Sequence, residues 1–442
     1  MSGLNTRHLQ YIVIFSGLVV SVLYAYGHKV DGDVVQLLRN GHNFVVKGIL
    51  TPFGSQSSSG SSGNVPGAFL TLAVGVPMKI WHSPWSSLVF LTGLHLTALF
   101  MYLNVMKNVV SSVALLALSV LFWLNPWRAS EVFLWNPGYI FFASIFHFWT
   151  AYHLSEKRSF VFSMLHALSL FLALQIHASF VILVFITLIL LWMRALQPDW
   201  LGAGAGILLG LASLLPYFLA GLKDPSIFPQ PGSGGKGFLF FGLVYVYPLL
   251  KGFWYWILFG SSIFQKHIFH QLEFSWIQPA GLQLTVGYLW TGVKYAIGLA
   301  GVLLSFYVNY AFFKGNKTVF RFWRVRLEPG DNWVVFYTVA AFFATMTATA
   351  ISPTLPIFWH LLFVWPFALI PLILFIDHRF HVSGEAKKIT ALIWICAVYF
   401  LIFNIFGALG STKHSIHSNF NQAYHSVCQD ECHWPPKESA AK

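Results

Sequence analysis

The chain has 442 residues, of which 57% are hydrophobic and only 9% are charged. Soluble domains carry about 25% charged residues, so the composition excludes an ordinary soluble protein. The formal net charge is +12, but in a membrane protein such charge lies mostly in loops and sets their orientation, so nucleic acid is not the expected partner.

Apolar runs suited to a bilayer span, roughly 17–25 residues each, recur from one end of the chain to the other. We predict an all-α polytopic integral membrane protein, because backbone exposed to lipid must satisfy its own hydrogen bonds. The sequence lacks the short alternating segments of a membrane β-barrel. The first run, residues 9–27, lacks a small-residue cleavage site and is expected to be retained as a helix.

The first loop begins with HKVDGDVVQLLRNG, residues 28–41, and contains two of the 14 acidic residues, Asp31 and Asp33. Asp33 precedes an apolar helical pattern and is the expected helix N-cap, a role not expected of Asp31. Two carboxylates two residues apart can also face one cavity. There they could bind a divalent metal such as Mg or Mn, or one could act as a general base.

Two segments after this loop bear on topology. The stretch GSQSSSGSSGN, residues 54–64, predicts a flexible external loop that is either a linker or a flap over a site. The next apolar run, 66–82, is short and contains Pro77 and Lys79. It is expected to lie along the interface without crossing, and the run 237–262 is expected to do the same.

Basic loops set the predicted orientation. The densest, residues 314–326, is placed in the cytoplasm with 155–159 and 377–388. This leaves about 11 transmembrane helices plus interfacial helices on the external face. The predicted parts are an N-terminal module at 1–220 with its first external loop at 28–65, an external loop and interfacial helix at 221–282, C-terminal transmembrane helices at 283–408 and an external tail at 409–442.

Polar side chains collect in the segments predicted to be external. Beyond the two aspartates, the candidate substrate-binding residues are Arg39, His42, Arg128, Glu131, Asn136, Gln175, His177, Lys236, Lys266 and His360. Several have a structural alternative. Asn136 before Pro137 is typical of a helix start, Gln175 and His177 could close a helix, and His360 could be a hydrogen-bonded core histidine.

The tail contains Cys428 and Cys432 among several histidines. The ligand types permit a zinc site, but the spacing matches no common zinc pattern. A small disulfide loop is the preferred interpretation for an external segment. Cys396 lies in an apolar run and is expected to be inert.

Four motifs resemble the polyprenyl-phosphate-sugar-dependent glycosyltransferases of the GT-C fold, in particular protein O-mannosyltransferases and aminoarabinose transferase-like bacterial membrane proteins. In order, they are DGD (31–33), GSQSSSGSSGNVPGAFLTLAVG (54–75), LWNPGYIFF (134–142) and ALQIHAS (173–179). After residue 220 the resemblance consists of the hydropathy rhythm and a helix that enters at PIFWHLLFVWPF.

The resemblance implies a sugar donor carried on a polyprenyl phosphate and a catalytic base at Asp33 or Asp31, with Asp33 preferred. Cationic or hydrogen-bonding groups would stabilise the departing phosphate, and Lys236, Arg128, His360 and Lys266 are the candidates. Direct displacement would invert the anomeric centre, and no metal is required. The acceptor could be a glycan, a lipid or a protein. The expected location is the bacterial inner membrane, among its lipids, with the site on the periplasmic side.

Two other functions fit a polytopic basic protein. A transporter or flippase of lipid-linked sugars would place polar residues at the bilayer midplane, whereas the charges here collect on one face. A membrane acyltransferase would need a histidine base, and His95, His147 and His166 lie within apolar runs.

Overall fold

The structure is a computed structural model that describes residues 6–27, 30–56, 64–228, 239–240, 244–261, 277, 279–316, 331–352, 355–382, 386–410 and 420–428. Lys236 and Lys266 of the predicted site lie outside the described residues, as do most of the Ser/Gly segment, the basic loop at 317–330 and Cys432.

The described chain is predominantly helical. Its helices are α1 (Thr6–Gly27), α2 (Gly32–Lys47), α3 (Phe69–Ile80), α4 (Trp85–Met106), α5 (Ser112–Trp123), α6 (Pro126–Ala129), α7 (Ile140–Glu156), α8 (Phe160–Ile176), α9 (Val181–Trp192), α10 (Trp200–Lys223), α11 (Val246–Ser261), α12 (Ala280–Gly315), α13 (Asp331–Ala350), α14 (Trp365–Ala368), α15 (Ile370–Val382), α16 (Ala386–Gly410) and α17 (Phe420–Cys428). Short 3₁₀ helices cover Asn136–Tyr139, Ala178–Phe180, Pro225–Ile227 and Phe358–Val364.

Within the described residues, seven helices are long and apolar enough to cross a membrane. They are α1, α4, α10, α12, the Trp333–Ala350 part of α13, the segment Phe358–His381 and the Ala386–Ala408 part of α16. The shorter helices α5, α7, α8 and α9 lie among them. The predicted class, a polytopic helical membrane protein, is confirmed.

Polar contacts define two ends of the helical bundle. One end, which we call the basic end, is held by Ser111 N–H donating to Asp377 Oδ1 at 2.9 Å and by the ion pair of Arg158 with Asp199 at 3.0 Å. Each of these contacts involves one of the loops that the charge distribution placed in the cytoplasm, 377–388 in the first and 155–159 in the second. The other end, where α1 ends and α2 begins, is called the α2 end.

The segment from α2 to the start of α4 lies at the α2 end. The strands β1 (Phe53–Gln56) and β2 (Asn64–Pro66) pair antiparallel, with Phe53 opposite Pro66, and so hold together the two ends of the Ser/Gly segment. The 12 residues of α3 rise about 18 Å, too little to cross a bilayer. Because α5 and α9 are equally short, length alone does not distinguish α3, and the interfacial position of the run 66–82 stays a prediction. The run 237–262 contains α11, which packs against α12 and α13.

Glycines let α10 approach α8 closely. Gly202, Gly206 and Gly210 recur every four residues and form one stripe on α10. A Cβ on Gly202 or Gly206 would collide with backbone atoms of α8, at Phe160 and Met164 respectively. Small residues at such spacing are the usual means of packing two membrane helices tightly, because lipid supplies no hydrophobic driving force between them.

Two alanine substitutions on opposite faces of α10, two residues apart, test this packing. Gly206→Ala is expected to lower the free energy of unfolding in detergent by about 1–3 kcal/mol, because the added methyl group overpacks the contact with α8. Gly204→Ala is the matched control, since nothing lies within 4 Å of the Cβ it would add. Thermal unfolding of both variants is the measurement, and equal melting temperatures would contradict the close approach of the two helices.

A candidate active site at the α2 end

The two aspartates at the start of α2 have different roles. The Asp31 carboxylate accepts a hydrogen bond from the backbone N–H of Val34 at 3.1 Å and is therefore the N-cap. The prediction that Asp33 is the cap and Asp31 is not is wrong, because the helix begins at Gly32, two residues earlier than a cap at Asp33 would require. Asp33 lies in the first turn and is exposed. The protein around it and the neighbouring Asp31 raise its pKa above the ordinary carboxyl value.

A third carboxyl group completes an acidic cluster. Glu131 is 2% exposed and accepts a hydrogen bond from Trp135 Nε1 at 2.7 Å. Burial raises the pKa of Glu131 to about 8; the Trp135 bond acts against this shift and the nearby Asp31 charge adds to it. Glu131 is therefore mostly protonated at neutral pH and adds little negative charge beside the aspartates.

Aromatic rings connect this cluster to a pair of histidines. Trp135 packs against Trp359 with ring centroids 6.1 Å apart, and Trp359 lies against the next residue, His360, at 5.8 Å. The His360 ring is 5.4 Å from the ring of His177. We call this series of neighbouring residues the belt. It consists of Asp31, Asp33, Glu131, Trp135, Trp359, His360 and His177.

Both histidines of the belt have a fixed tautomer. His177 Nδ1 accepts a hydrogen bond from the backbone N–H of Ser179 at 3.1 Å, and His360 Nδ1 accepts one from Ile357 at 3.2 Å. A neutral imidazole that accepts at Nδ1 carries its proton on Nε2. Burial and the neighbouring His360 lower the pKa of His177 to about 3, so its ring is neutral at physiological pH. The pair therefore presents two Nε2–H donors.

A lysine that the sequence did not assign to the site lies beside this pair. Lys251 of α11 is close enough to His360 for their charges to interact, and its ammonium is 5.9 Å from the centre of the Tyr247 ring. Its position in an apolar run is a signal of function, since ionisable groups are costly in membrane segments. The sequence treated that lysine only as an interruption of the run. Trp135 and Trp359 were also missed, because aromatic residues are too common here to stand out.

Gln175 does not face the belt with a free amide. Its Oε1 accepts from the backbone N–H of Phe69 at 3.3 Å, and its Nε2 donates to Ser213 Oγ at 3.0 Å. Gly67 has φ of +91° and leaves no space for a Cβ against this side chain. Gln175 thus joins the start of α3 to α8 and α10, which replaces the predicted substrate contact with a structural one.

The remaining candidates on α2 point elsewhere. His42 is 2% exposed and its Nδ1 is hydrogen-bonded to the Tyr424 hydroxyl at 3.3 Å, so this burial does not support the predicted substrate contact. Arg39 is exposed and lies about one third of a turn around the helix from Asp33. Asn136 is buried at the start of its 3₁₀ helix, with Pro137 in the first turn, as the structural alternative expected.

Arg128 is fully buried below the loop that contains Glu131. Its Nη1 donates to Ser21 Oγ of α1 at 2.8 Å, and the guanidinium lies 4.1 Å from the centre of the Trp123 ring. Its Nε and Nη2 have no hydrogen-bond partner among the described residues. Arg128 therefore joins α1 to α5 and α6, and this burial does not support the predicted direct contact with a substrate.

The described residues contain no group of three or more histidine, cysteine, aspartate or glutamate side chains placed to hold a metal ion. The Asp31 carboxylate already accepts the cap hydrogen bond. These observations give no support to a metal at Asp31 and Asp33. In the tail, Cys428 is disulfide-bonded, whereas Cys396 is a free thiol in the interior.

The interior histidines are hydrogen-bonded to hydroxyl groups and to a backbone carbonyl. His147 Nδ1 lies 2.8 Å from the Tyr337 hydroxyl, and Thr187 Oγ1 lies 2.8 Å from His147 Nε2 and 3.1 Å from His166 Nε2. His166 Nδ1 is 3.0 Å from Thr150 Oγ1. His95 donates from Nε2 to the carbonyl of Gly138 at 2.6 Å and is fully enclosed. This arrangement does not favour an acyltransferase with a histidine base.

Comparison with solved structures identifies the fold. The apo structure of ArnT from Cupriavidus metallidurans aligns with a TM-score of 0.51 over 90% of this chain and 76% of that chain, at 11% sequence identity. ArnT is a GT-C glycosyltransferase, an aminoarabinose transferase. This chain has the ArnT fold. The predicted GT-C-like architecture is therefore confirmed.

A second ArnT structure, bound to undecaprenyl phosphate, aligns with a TM-score of 0.48 over 95% of this chain and 78% of that chain, at 12% identity. No family model matches the sequence, and no curated protein matches it.

The raised pKa of Glu131 predicts a pH-dependent stability. The unfolded chain releases this proton near pH 4.5, whereas the folded chain keeps it up to about pH 8. The contribution of Glu131 to folding is therefore full below pH 4.5 and is lost as the pH rises to 8. Glu131→Gln removes this loss, so its advantage in melting temperature over the wild type should grow across that window. Parallel profiles would contradict the assignment.

Proposed function

We propose that this protein is a membrane glycosyltransferase that moves a sugar from a polyprenyl-phosphate donor to an acceptor hydroxyl at the α2 end. The observation that carries the proposal is the belt, which has an accessible carboxylate at one end and hydrogen-bond donors with a nearby cation at the other. Such a surface matches a substrate with a hydroxyl to be deprotonated and a phosphate to be stabilised. The ArnT fold supports the same function.

Asp33 is the base in this proposal. The Asp31 carboxylate is used as the helix cap, whereas Asp33 is exposed and has a raised pKa. A carboxylate with a raised pKa accepts a proton more readily than one with the ordinary value. Its position in the first turn of α2 fixes it at the rim of the bundle, where an acceptor hydroxyl can arrive from water.

The histidine pair and Lys251 receive the phosphate. The two Nε2–H groups are oriented by backbone hydrogen bonds before any substrate binds, so no reorganisation is needed as negative charge develops on the leaving phosphate. Lys251 adds a positive charge beside His360. The phosphate leaves with the bonding electron pair, the acceptor oxygen attacks from the opposite side, and the anomeric centre is inverted.

The apolar helices place this chemistry at a membrane surface. A polyprenyl chain would remain among membrane lipids while its phosphate and sugar reach the belt. With the basic end in the cytoplasm, the belt faces the periplasmic side of a bacterial inner membrane. The acceptor is a glycan, a lipid or a protein bearing a hydroxyl group.

Two asparagine substitutions separate the base from the cap. Asp33→Asn is expected to lower the rate of sugar transfer by about 10²–10⁴-fold, the usual contribution of a general base. Asp31→Asn should retain most activity, because asparagine caps a helix as well as aspartate does. Transfer from a polyprenyl-phosphate sugar in reconstituted vesicles is the measurement. Full activity of a folded Asp33→Asn protein would remove Asp33 from the mechanism.

Substitutions at the other end of the belt should affect the donor. Lys251→Met and His360→Phe are each expected to raise the KM for the lipid-linked donor and lower kcat by about tenfold or more, because both remove stabilisation of the phosphate. His153→Phe, at a partly exposed histidine near the basic end of α7, is the matched control and should change neither constant. Unchanged kinetics for both belt variants would place the phosphate elsewhere.

A further inference from the structure

The helix that presents Asp33 has a second functional face. Asp33 and His42 are nine residues apart on α2, about two and a half helical turns, so their side chains leave the helix in opposite directions. Asp33 is exposed, whereas His42 is 2% exposed. What covers His42 therefore also fixes the direction in which Asp33 points.

The cover is α17, the short helix near the end of the chain. Its Tyr424 hydroxyl is hydrogen-bonded to His42 Nδ1 at 3.3 Å, and the two rings meet edge to face with centroids 5.8 Å apart. Phe420, Ala423, Tyr424 and Cys428 form the buried side of α17. A helix with one buried apolar face of this kind is stabilised mainly by its partner and contributes to holding that partner in return.

The same helix also contacts the start of α4. Trp85 Nε1 donates to Asn421 Oδ1 at 3.0 Å, and the Trp85 ring packs against Phe420 with centroids 5.0 Å apart. At its other end, α17 closes with Cys428, which is disulfide-bonded. The tail helix thus contacts both α2 and α4.

We infer that α17 is a positioning element, with Tyr424 as the positioning residue. It holds α2 in the orientation that gives Asp33 its place in the belt. The catalytic consequence rests on the proposed function; the mechanical one does not. Tyr424 lies on the side of α2 away from the reacting atoms, because it contacts the face of α2 opposite Asp33.

Removal of one hydroxyl group tests the inference. Tyr424→Phe keeps the ring packed on α2 and deletes the bond to His42, so the helix should fold and remain in place but hold α2 less firmly. We expect faster amide hydrogen exchange in residues 32–47 and a kcat for sugar transfer lowered by about tenfold with the donor KM unchanged, because small misplacements of a base slow chemistry without weakening binding. Ser426→Ala is the matched control, since Ser426 is exposed and its hydroxyl donates to the Ala423 carbonyl of the same helix.

A second variant covers the case in which ring packing alone keeps α17 in place after the Tyr424 hydroxyl is removed. Cys428→Ser removes the disulfide at the end of α17 and places a hydroxyl group on the buried side of that helix, so it should weaken the packing of α17 on α2 and increase exchange of residues 32–47 in the same direction. Both variants are measured in the full chain, in detergent or nanodiscs, beside the wild type.

The outcomes separate this inference from the proposed function. Unchanged exchange of α2 in both variants overturns the inference whatever the activity. Faster exchange with an unchanged kcat, in a protein that Asp33→Asn inactivates, overturns the positioning role and leaves the proposed function standing. If the wild type transfers no sugar, the proposed function fails, and the exchange of α2 alone decides whether α17 holds that helix.

Discussion

The structure depends on one constraint: inside a membrane, polar groups must find their partners within the protein. The interior histidines show how this is met. His147 and His166 share the hydroxyl of Thr187 and use their other ring nitrogens on Tyr337 and Thr150. Groups satisfied in this way join helices but have no capacity left for a substrate. The accessible acid and the oriented donors are consequently found at the α2 end, where water and lipid headgroups meet the bundle.

At that end, the belt keeps groups of opposite character apart. A carboxylate beside a cationic group would form an ion pair and lose its strength as a base. Trp135 and Trp359 lie between the acidic cluster and the histidines. Each half therefore retains its own chemistry. Burial and the Asp31 charge keep Glu131 protonated at neutral pH, so it does not add a second full charge beside Asp31.

Local hydrogen bonds, rather than the long helices, set the direction of each site group. Asp31 fixes the first turn of α2 and thereby the place of Asp33. Ser179 and Ile357 each fix one histidine through its Nδ1. Gln175 fixes α3 to α8 and α10 from within. Several residues that the sequence suggested as substrate contacts therefore hold other parts of the site in place.

The sequence by itself determined the fold class and most of the helical segments, because hydropathy acts locally and additively. It also indicated that Asp31 and Asp33 lie at the start of a helix, as the structure shows. Tertiary structure alone decided which polar residues meet. His42 is buried under α17, and Arg128 and Gln175 make contacts inside the protein. Lys251 lies near His360, more than 100 positions later in the sequence. Such pairings depend on how helices pack in space, which no local pattern records.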